Sequence, residues 1–228
     1  MSARFDEYRD TYRAEVEHSI AFVGQSLEFF TEAKAQALLD LARQRLGDPA
    51  QLRALDVGCG PGETDAYLGA FGDLHGIDVS TELVERARRR NPGATYAHYE
   101  GGRLPYDDGA FDLAFAICVL HHVHPVDWGT FADELVRVVR PGGLAVVVEH
   151  NPLNPLTRLA VARCAFDDDA ILMGRTLVTE LLRHAGAEPE EARYILFFPW
   201  RGEQLRRIER QLGSVPLGAQ YLVAGTRR

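Results

Sequence analysis

One stretch constrains the fold more than any other. The apolar run Leu52–Val57 ends in Gly58-Cys59-Gly60-Pro61-Gly62. A buried strand that enters a glycine turn is how open α/β sheets bring backbone close to a ligand at their carboxyl edge, because glycine reaches positive φ at no steric cost. The residues that follow alternate accordingly. Glu63–Phe71 reads as a helix and Leu74–Val79 as a second strand. Glu82–Arg90 reads as a helix stopped by Asn91-Pro92-Gly93, and Thr95–Tyr99 as a third strand. Phe111–Val119 and the valine-rich Leu144–Glu149 read as two more strands, separated by a helix over Phe131–Arg140 that Pro141-Gly142-Gly143 ends. This rhythm predicts a mostly parallel sheet with helices on both faces.

The flanks are different. Leu27, Phe30, Ala37, Leu38 and Leu41 recur at helical spacing before Gly47-Asp48-Pro49, and residues 5–22 read as an amphipathic helix carrying Phe5, Tyr8 and Tyr12. With few large aliphatics to anchor it, that N-terminal helix is expected to behave as a mobile lid. After Glu149 the alternation breaks. Residues 150–175 form a turn-rich excursion of the kind that supplies binding loops. Thr176–Ala185 and Glu203–Leu212 read as helices, and Arg193–Phe198 and Gly218–Thr226 as the last strands. A length of 228 residues fits one domain. Its expected parts are a helical cap over 1–50, a ligand-binding core over 51–150, and a lid region with the last strands over 151–228.

Charge narrows the partners. There are 25 Lys+Arg against 33 Asp+Glu, a net −8. That balance argues against nucleic acid, whose binding rests on cations meeting phosphates, and against anionic membranes. No run approaches the ~20 apolar residues of a membrane span. The charged N-terminus has no apolar segment of the secretory type. Cys59, Cys118 and Cys164 are odd in number and lack zinc-ribbon or disulfide-scaffold spacing, so a reduced, cytoplasmic protein is expected. The expected partner is a small molecule, and the oligomeric state is left open.

Asp78 closes the second strand, 20 residues beyond Gly58, where a carboxylate accepts from ribose hydroxyls. Two cofactor classes use such a site. A dinucleotide fingerprint needs a third glycine three residues after Gly60, but that position is Glu63. Asp56 and Glu63 also oppose a pyrophosphate, whereas a ligand bearing an ammonium and a sulfonium tolerates them. The NAD-dependent oxidoreductase reading is thereby weakened.

At this point the chain resembles the class I S-adenosylmethionine-dependent methyltransferases. The likeness is to the small-molecule branch that includes the ubiquinone- and menaquinone-biosynthesis-type enzymes. It is carried by Leu55–Glu63, Gly76–Ser80, Arg103–Tyr106, Asp108–Asp112, Val119–Val123 and Leu135–Gly143, in order over roughly 50–150. The resemblance implies a doubly wound, Rossmann-like seven-stranded sheet with an antiparallel last strand, and S-adenosylmethionine as cofactor. It implies that Gly58 and Gly60, in the loop that ends at Gly62, pass under the methionine moiety while Asp56 supports the amino group. Asp78 would hold the ribose and Val79 the adenine face. Glu100 and Gly101 would meet the adenine edge, with Glu standing where the family usually has Asp. Ile117 would offer its carbonyl to the amino group, and Tyr12 would close over the cofactor from the N-terminal helix.

The same resemblance implies methyl transfer to a small acceptor, with a hydroxyl or carboxyl oxygen preferred. Nitrogen or carbon transfer, or a catalytically silent cofactor-binding protein, are the alternatives. His121, His122 and His124 follow the fourth strand, whose end faces the methyl group. They read as a polar helix start or as a source of a general base; no carboxylate or cysteine has ligand spacing with them, so no metal site is expected. His122 is the preferred base, with Glu149 and His150 at the next strand end as the other candidates. Glu149 reads as either a pocket residue or a member of a buried ion pair. Phe197-Phe198-Pro199-Trp200 is core or an apolar acceptor wall. Arg158, Arg163 and Arg175 are solvated or bind an acidic acceptor, and Asp167-Asp168-Asp169 reads as a solvated loop.

Overall fold

The structure is a computed structural model that describes residues 12–200 and 202–228. In chain order the strands are β1 (Arg53–Val57), β2 (Asp73–Asp78), β3 (Thr95–His98), β4 (Phe111–Ile117), β5 (Val139–His150), β6 (Ala187–Ile195) and β7 (Gln220–Arg227). They form one sheet in the order β3-β2-β1-β4-β5-β7-β6. β1 to β5 pair in parallel, and β7 runs antiparallel between β5 and β6. The order reverses beside β1, so the carboxyl ends of β1 and β4 flank the switch point at which doubly wound sheets bind ligands. This is the predicted doubly wound sheet.

Strand alternation divides the core in two. Val57, Ala114, Ala116, Val147 and Val223 face α4 (Trp128–Arg137) and α6 (Arg175–His184). Ala54, Phe115, Val146, Val148 and Leu222 face the other way, against Leu38, Leu41 and Ala42 of α2 (Leu27–Arg45). α3 (Thr81–Arg90) covers Cys59 and Tyr96 with Val84 and Ala87. The remaining helices are α1 (Tyr12–Ile20), α5 (Pro155–Arg163) and α7 (Glu203–Leu212). Among the described residues no helix is long and apolar enough to cross a membrane.

Four segments differ from the sequence reading; in one, α4 ends at Arg137 and β5 starts at Val139, so Pro141-Gly142-Gly143 lies within the strand and not at the end of a helix. Glu63–Phe71 holds only a short 3-10 turn, Asp65–Tyr67, in place of a helix. Gly69 weakens a helix there by ~1 kcal/mol, and Asp65 is drawn inward by the Tyr96 hydroxyl at 2.8 Å. The 150–175 excursion contains α5, because Asn154 caps it by accepting from Leu156 and Thr157 N–H and Pro155 occupies its first turn. The Asn-Pro pair that reads as a turn is a helix start. β6 begins at Ala187, earlier than expected, since its Glu188, Glu190 and Glu191 sit on the sheet's edge strand, where charge guards against edge-to-edge pairing.

Leu38 is fully buried between α2 and the sheet. Leu38→Ala is expected to cost about 2–5 kcal/mol. Urea titration should show a lower midpoint with an unchanged slope.

Candidate active site

The glycine loop, the β2 end and the β4 end enclose a cavity of about 340 Å³. Asp56, Gly58, Gly60, Asp78, Val79, Gly101 and Ile117 all line it, as their sequence positions predict. Gly58 adopts φ +82°, and a Cβ there would lie 2.5 Å from the Val119 side chain, so only glycine fits. The N–H groups of Gly58 and Cys59 donate to the Ile77 carbonyl at 2.8 and 3.0 Å, which ties the loop to β2. Asp78 accepts from Gly60 N–H at 2.8 Å and from Ser80 N–H at 2.9 Å. Ser80 in turn accepts from Leu83 N–H and caps α3.

Carboxylates dominate the floor of this cavity. Asp56 and Asp65 are buried beside one another. Burial first, then the Asp65 charge and a carboxyl–carboxyl hydrogen bond, raise the Asp56 carboxyl well above its usual range. Burial likewise pushes Asp65 up to about 6, against the pull of Tyr96 and Asp56. The pair thus shares a proton. Asp56 Oδ1 is buried and has no hydrogen-bond partner among the described residues. An acceptor left unmatched over a cavity fits a ligand ammonium. Lys34, buried on α2, is the one cation that lowers Asp56.

Three predicted positions need correction. Glu100 does not line the cavity; its side chain is 92% exposed, since the turn through Gly101 and Gly102 brings only that backbone inward. Gly62 faces away, and a Cβ there would strike Asn91 and Ala87, so it packs loop against α3. Glu149 is 1% exposed and lines neither cavity. It accepts from Leu120 N–H at 2.7 Å and meets His121 Nδ1 at 2.6 Å. Burial works against its charge, but His121 and His150 hold it down at about 2, too weak for a base. Glu149 belongs to a buried ion pair. Phe5, Tyr8 and the Tyr12 side chain lie outside the described residues, and of the predicted lid helix only the part from residue 12 on is described.

A second cavity, of about 320 Å³, opens beyond the first. Val16 and Ile20 of α1, Phe30 of α2, Val161 of α5 and Phe197-Phe198-Pro199 give it apolar walls, so the aromatic segment serves as wall and only Trp200 stands exposed. Arg158, Arg163 and Arg175 line neither cavity; Arg175 donates to the Ala192 carbonyl and lies over the Tyr194 ring. The acidic-acceptor reading therefore loses its cations. Leu27, Lys34, Cys118, His122 and Phe166 line both cavities and form the wall they share.

Several of these residues escaped the sequence reading. Lys34 is the chain's only lysine, and Leu27, Thr31, Lys34, Leu38 and Leu41 fall on one helical stripe. A lone cation in such a stripe was the available signal. Cys118 follows β4 with φ +58°. Its thiol is pushed up by burial but pulled down further by Lys34 and His150, to about 7. His150 lines the second cavity beside Gln220, whose amide reaches Cys118 Sγ at 3.2 Å. His121 Nε2 lies 3.7 Å and His122 Nε2 3.4 Å from Asp167 Oδ1. Asp169 Oδ1 is 3.3 Å from His122 Nδ1. The Asp167-Asp168-Asp169 run thus folds onto the histidines and is not simply solvated.

The shared proton of Asp56 and Asp65 has a measurable consequence. A charged α-amine, protonated below about pH 8, displaces that proton when it binds. Affinity for S-adenosylhomocysteine should therefore rise with pH between about 5 and 7. Calorimetry in buffers of different ionisation enthalpy should show proton release near pH 6, which a pH-independent affinity would contradict.

Residues 55–147 match the model of a methyltransferase domain family. The chain is 36% identical over 115 residues to a demethylmenaquinone methyltransferase of Beutenbergia cavernae, covering 50% of this chain and 45% of that one. It is 30% identical over 186 residues to the 27-O-demethylrifamycin SV methyltransferase of Amycolatopsis mediterranei, covering 73% and 64%. The chain spans about half the length of the curated relatives it matches. The crystal structure of a methyltransferase from Thermotoga maritima superposes over 100% of both chains with a TM-score of 0.69 at 20% identity, a likeness of fold. Residues 55–147 thus belong to a class I S-adenosylmethionine-dependent methyltransferase domain, and S-adenosylmethionine is its cofactor.

Proposed function

We propose that the protein transfers the methyl group of S-adenosylmethionine to a hydroxyl oxygen of an apolar, phenolic small molecule. The observation that carries this reading is the wall common to the two cavities. The first has the glycine loop and carboxylates suited to the cofactor, and the second is apolar and of small-molecule size. The relatives named as methyltransferases of demethylmenaquinone and of 27-O-demethylrifamycin SV support an apolar acceptor.

In this reading Asp56 holds the cofactor's ammonium, Asp78 its ribose hydroxyls, and the Gly58–Gly60 backbone its methionine portion. The cofactor supplies a methyl group on a sulfonium, which a nucleophile displaces in line. Leu27 and Phe166 exclude water from the shared wall, and closure of this kind holds the reacting atoms at attack distance. His122, in the same wall, faces the acceptor hydroxyl and helps remove its proton. Lys34 and Cys118 stand opposite it as a cation and a thiol near its titration point. A site with these parts acts as an enzyme rather than as a silent cofactor binder.

Incubating the purified protein with methyl-labelled S-adenosylmethionine and a panel of phenols and hydroquinones is the direct test. The expected product carries the label on oxygen, as NMR of the product would show; label on carbon or nitrogen would overturn the oxygen assignment. His122→Ala should lower turnover by ~10²–10⁴-fold while S-adenosylhomocysteine binds as before. An unchanged rate would remove His122 from the chemistry.

A further inference from the structure

The second cavity carries a cluster of which the proposed function uses only His122. His121, His122 and Asp167 each offer one ligand atom, and the three atoms lie within 4.8 Å of one another. Asp167 Oδ1 stands 3.4 Å from His122 Nε2 and 3.7 Å from His121 Nε2. Donors about 2.1 Å from one tetrahedral ion stand about 3.4 Å apart. The two separations from Asp167 are those of ligands around a single centre.

A second, independent feature points the same way. His121 Nδ1 meets the Glu149 carboxylate at 2.6 Å, and His122 Nδ1 meets Asp169 at 3.3 Å. Each ring therefore has a carboxylate on its Nδ1 and turns its Nε2 toward Asp167. That is the carboxylate–histidine arrangement that sets the tautomer and orientation of a metal-bound imidazole. Glu149 is itself held by the Leu120 N–H at 2.7 Å, so the outer layer is rigid. The neighbouring histidines and the distant aspartate come together only because the 3-10 turns Leu120–His122 and Ala165–Asp167 face each other.

We propose that His121, His122 and Asp167 bind one divalent transition-metal ion of the zinc(II) type, with an open position toward the acceptor. Two nitrogen donors and one carboxylate suit such an ion and disfavour magnesium. All three ligands line the second cavity and His122 lines the first as well, so the ion stands at the junction. The inference deepens the proposed function and rests on it. The acceptor's hydroxyl oxygen coordinates the ion and loses its proton to solvent water. The resulting oxyanion attacks the methyl carbon; a C–O bond forms, and the C–S bond breaks with its electron pair remaining on sulfur as a neutral thioether. With the ion bound, His122 serves as its ligand and the lowered pKa of the metal-bound hydroxyl takes over the deprotonation that the proposed function gave to His122.

Untagged protein, dialysed against a chelator, is titrated calorimetrically with zinc, manganese and magnesium chlorides. One equivalent of zinc should bind, and magnesium should not. Asp167→Asn, a conservative change, should weaken zinc by at least ~10-fold, and Asp169→Asn by ~10–100-fold, with S-adenosylhomocysteine binding retained as the check of folding. Cys118→Ser and Cys164→Ser should bind zinc as the parent does; loss there would assign the metal to a thiol and overturn the proposal. Zinc affinity unchanged in Asp167→Asn, or no zinc bound by folded parent protein, would also overturn it. Methyl transfer that is undiminished after metal removal would overturn the catalytic role. Zinc uptake by a protein that methylates no phenol would instead sink the proposed function and leave the metal site standing.

Discussion

Asp78 accepts the N–H of Gly60 and the N–H of Ser80, and through those two bonds one carboxylate joins the β1 loop to the start of α3. The glycine loop has no side chains with which to hold its own shape. It is pinned instead from β2, by Asp78 and by the Ile77 carbonyl that receives both Gly58 and Cys59. A charge-assisted bond of this kind contributes ~1.5–3 kcal/mol. The same bonds offset the cost of burying Asp78, whose carboxyl burial nonetheless raises. The cavity therefore exists because a charged group was placed where it must find backbone donors.

That logic repeats along the carboxyl edge, with a different partner each time. Asp56 and Asp65 share a proton and lean on Tyr96 and Lys34. Glu149 takes the Leu120 N–H and the His121 ring. Asp167 is held well below the usual carboxylate range: burial opposes its charge, and contacts with His121 and His122 overcome it. In the first cavity's floor the Oδ1 atoms of Asp56 and Asp65 are left unmatched among the described residues, and that of Asp56, which lines the cavity, suits a cation that arrives with a ligand. Around the second cavity the carboxylates are matched by imidazoles. His121, pushed down by burial, is lifted well above its ordinary range by Glu149 and Asp167.

The legible parts of the sequence were those where one residue type has one structural use. The strand leading into Gly58-Cys59-Gly60, the aspartate closing β2, and the valine run of β5 each follow from period and punctuation. The sheet follows from them, and so does most of the first cavity. Glu100 was misplaced because a glycine pair after it let the backbone enter the cavity without the side chain. Gly62 was misplaced because packing against α3 asks for the same missing Cβ that a ligand does. Lys34, Cys118 and Asp167 were not legible at all as a group. They come from α2, the end of β4 and the turn after α5, and no local pattern records that these three meet.

Cys118 shows how the two halves are coupled. It is a non-glycine residue at φ +58°, a conformation that costs a residue with a Cβ ~1–2 kcal/mol. The backbone is held there because Cys118 N–H donates to the Val148 carbonyl at 2.8 Å, continuing the β4–β5 ladder one residue past the strand. The turn that follows is fixed from outside, where Trp128 Nε1 donates to the carbonyls of Leu120 and Val123. Between these anchors the chain reverses sharply, and the thiol ends within reach of Lys34, Gln220 and both cavities. A relaxed extended residue at 118 would carry β4 straight on and separate the histidine turn from the glycine loop. Strain at one residue is thus what lets the first and second cavities share a wall. It also explains why the wall draws on α2, β4 and the turn after α5 together, since no single element reaches both sides of it.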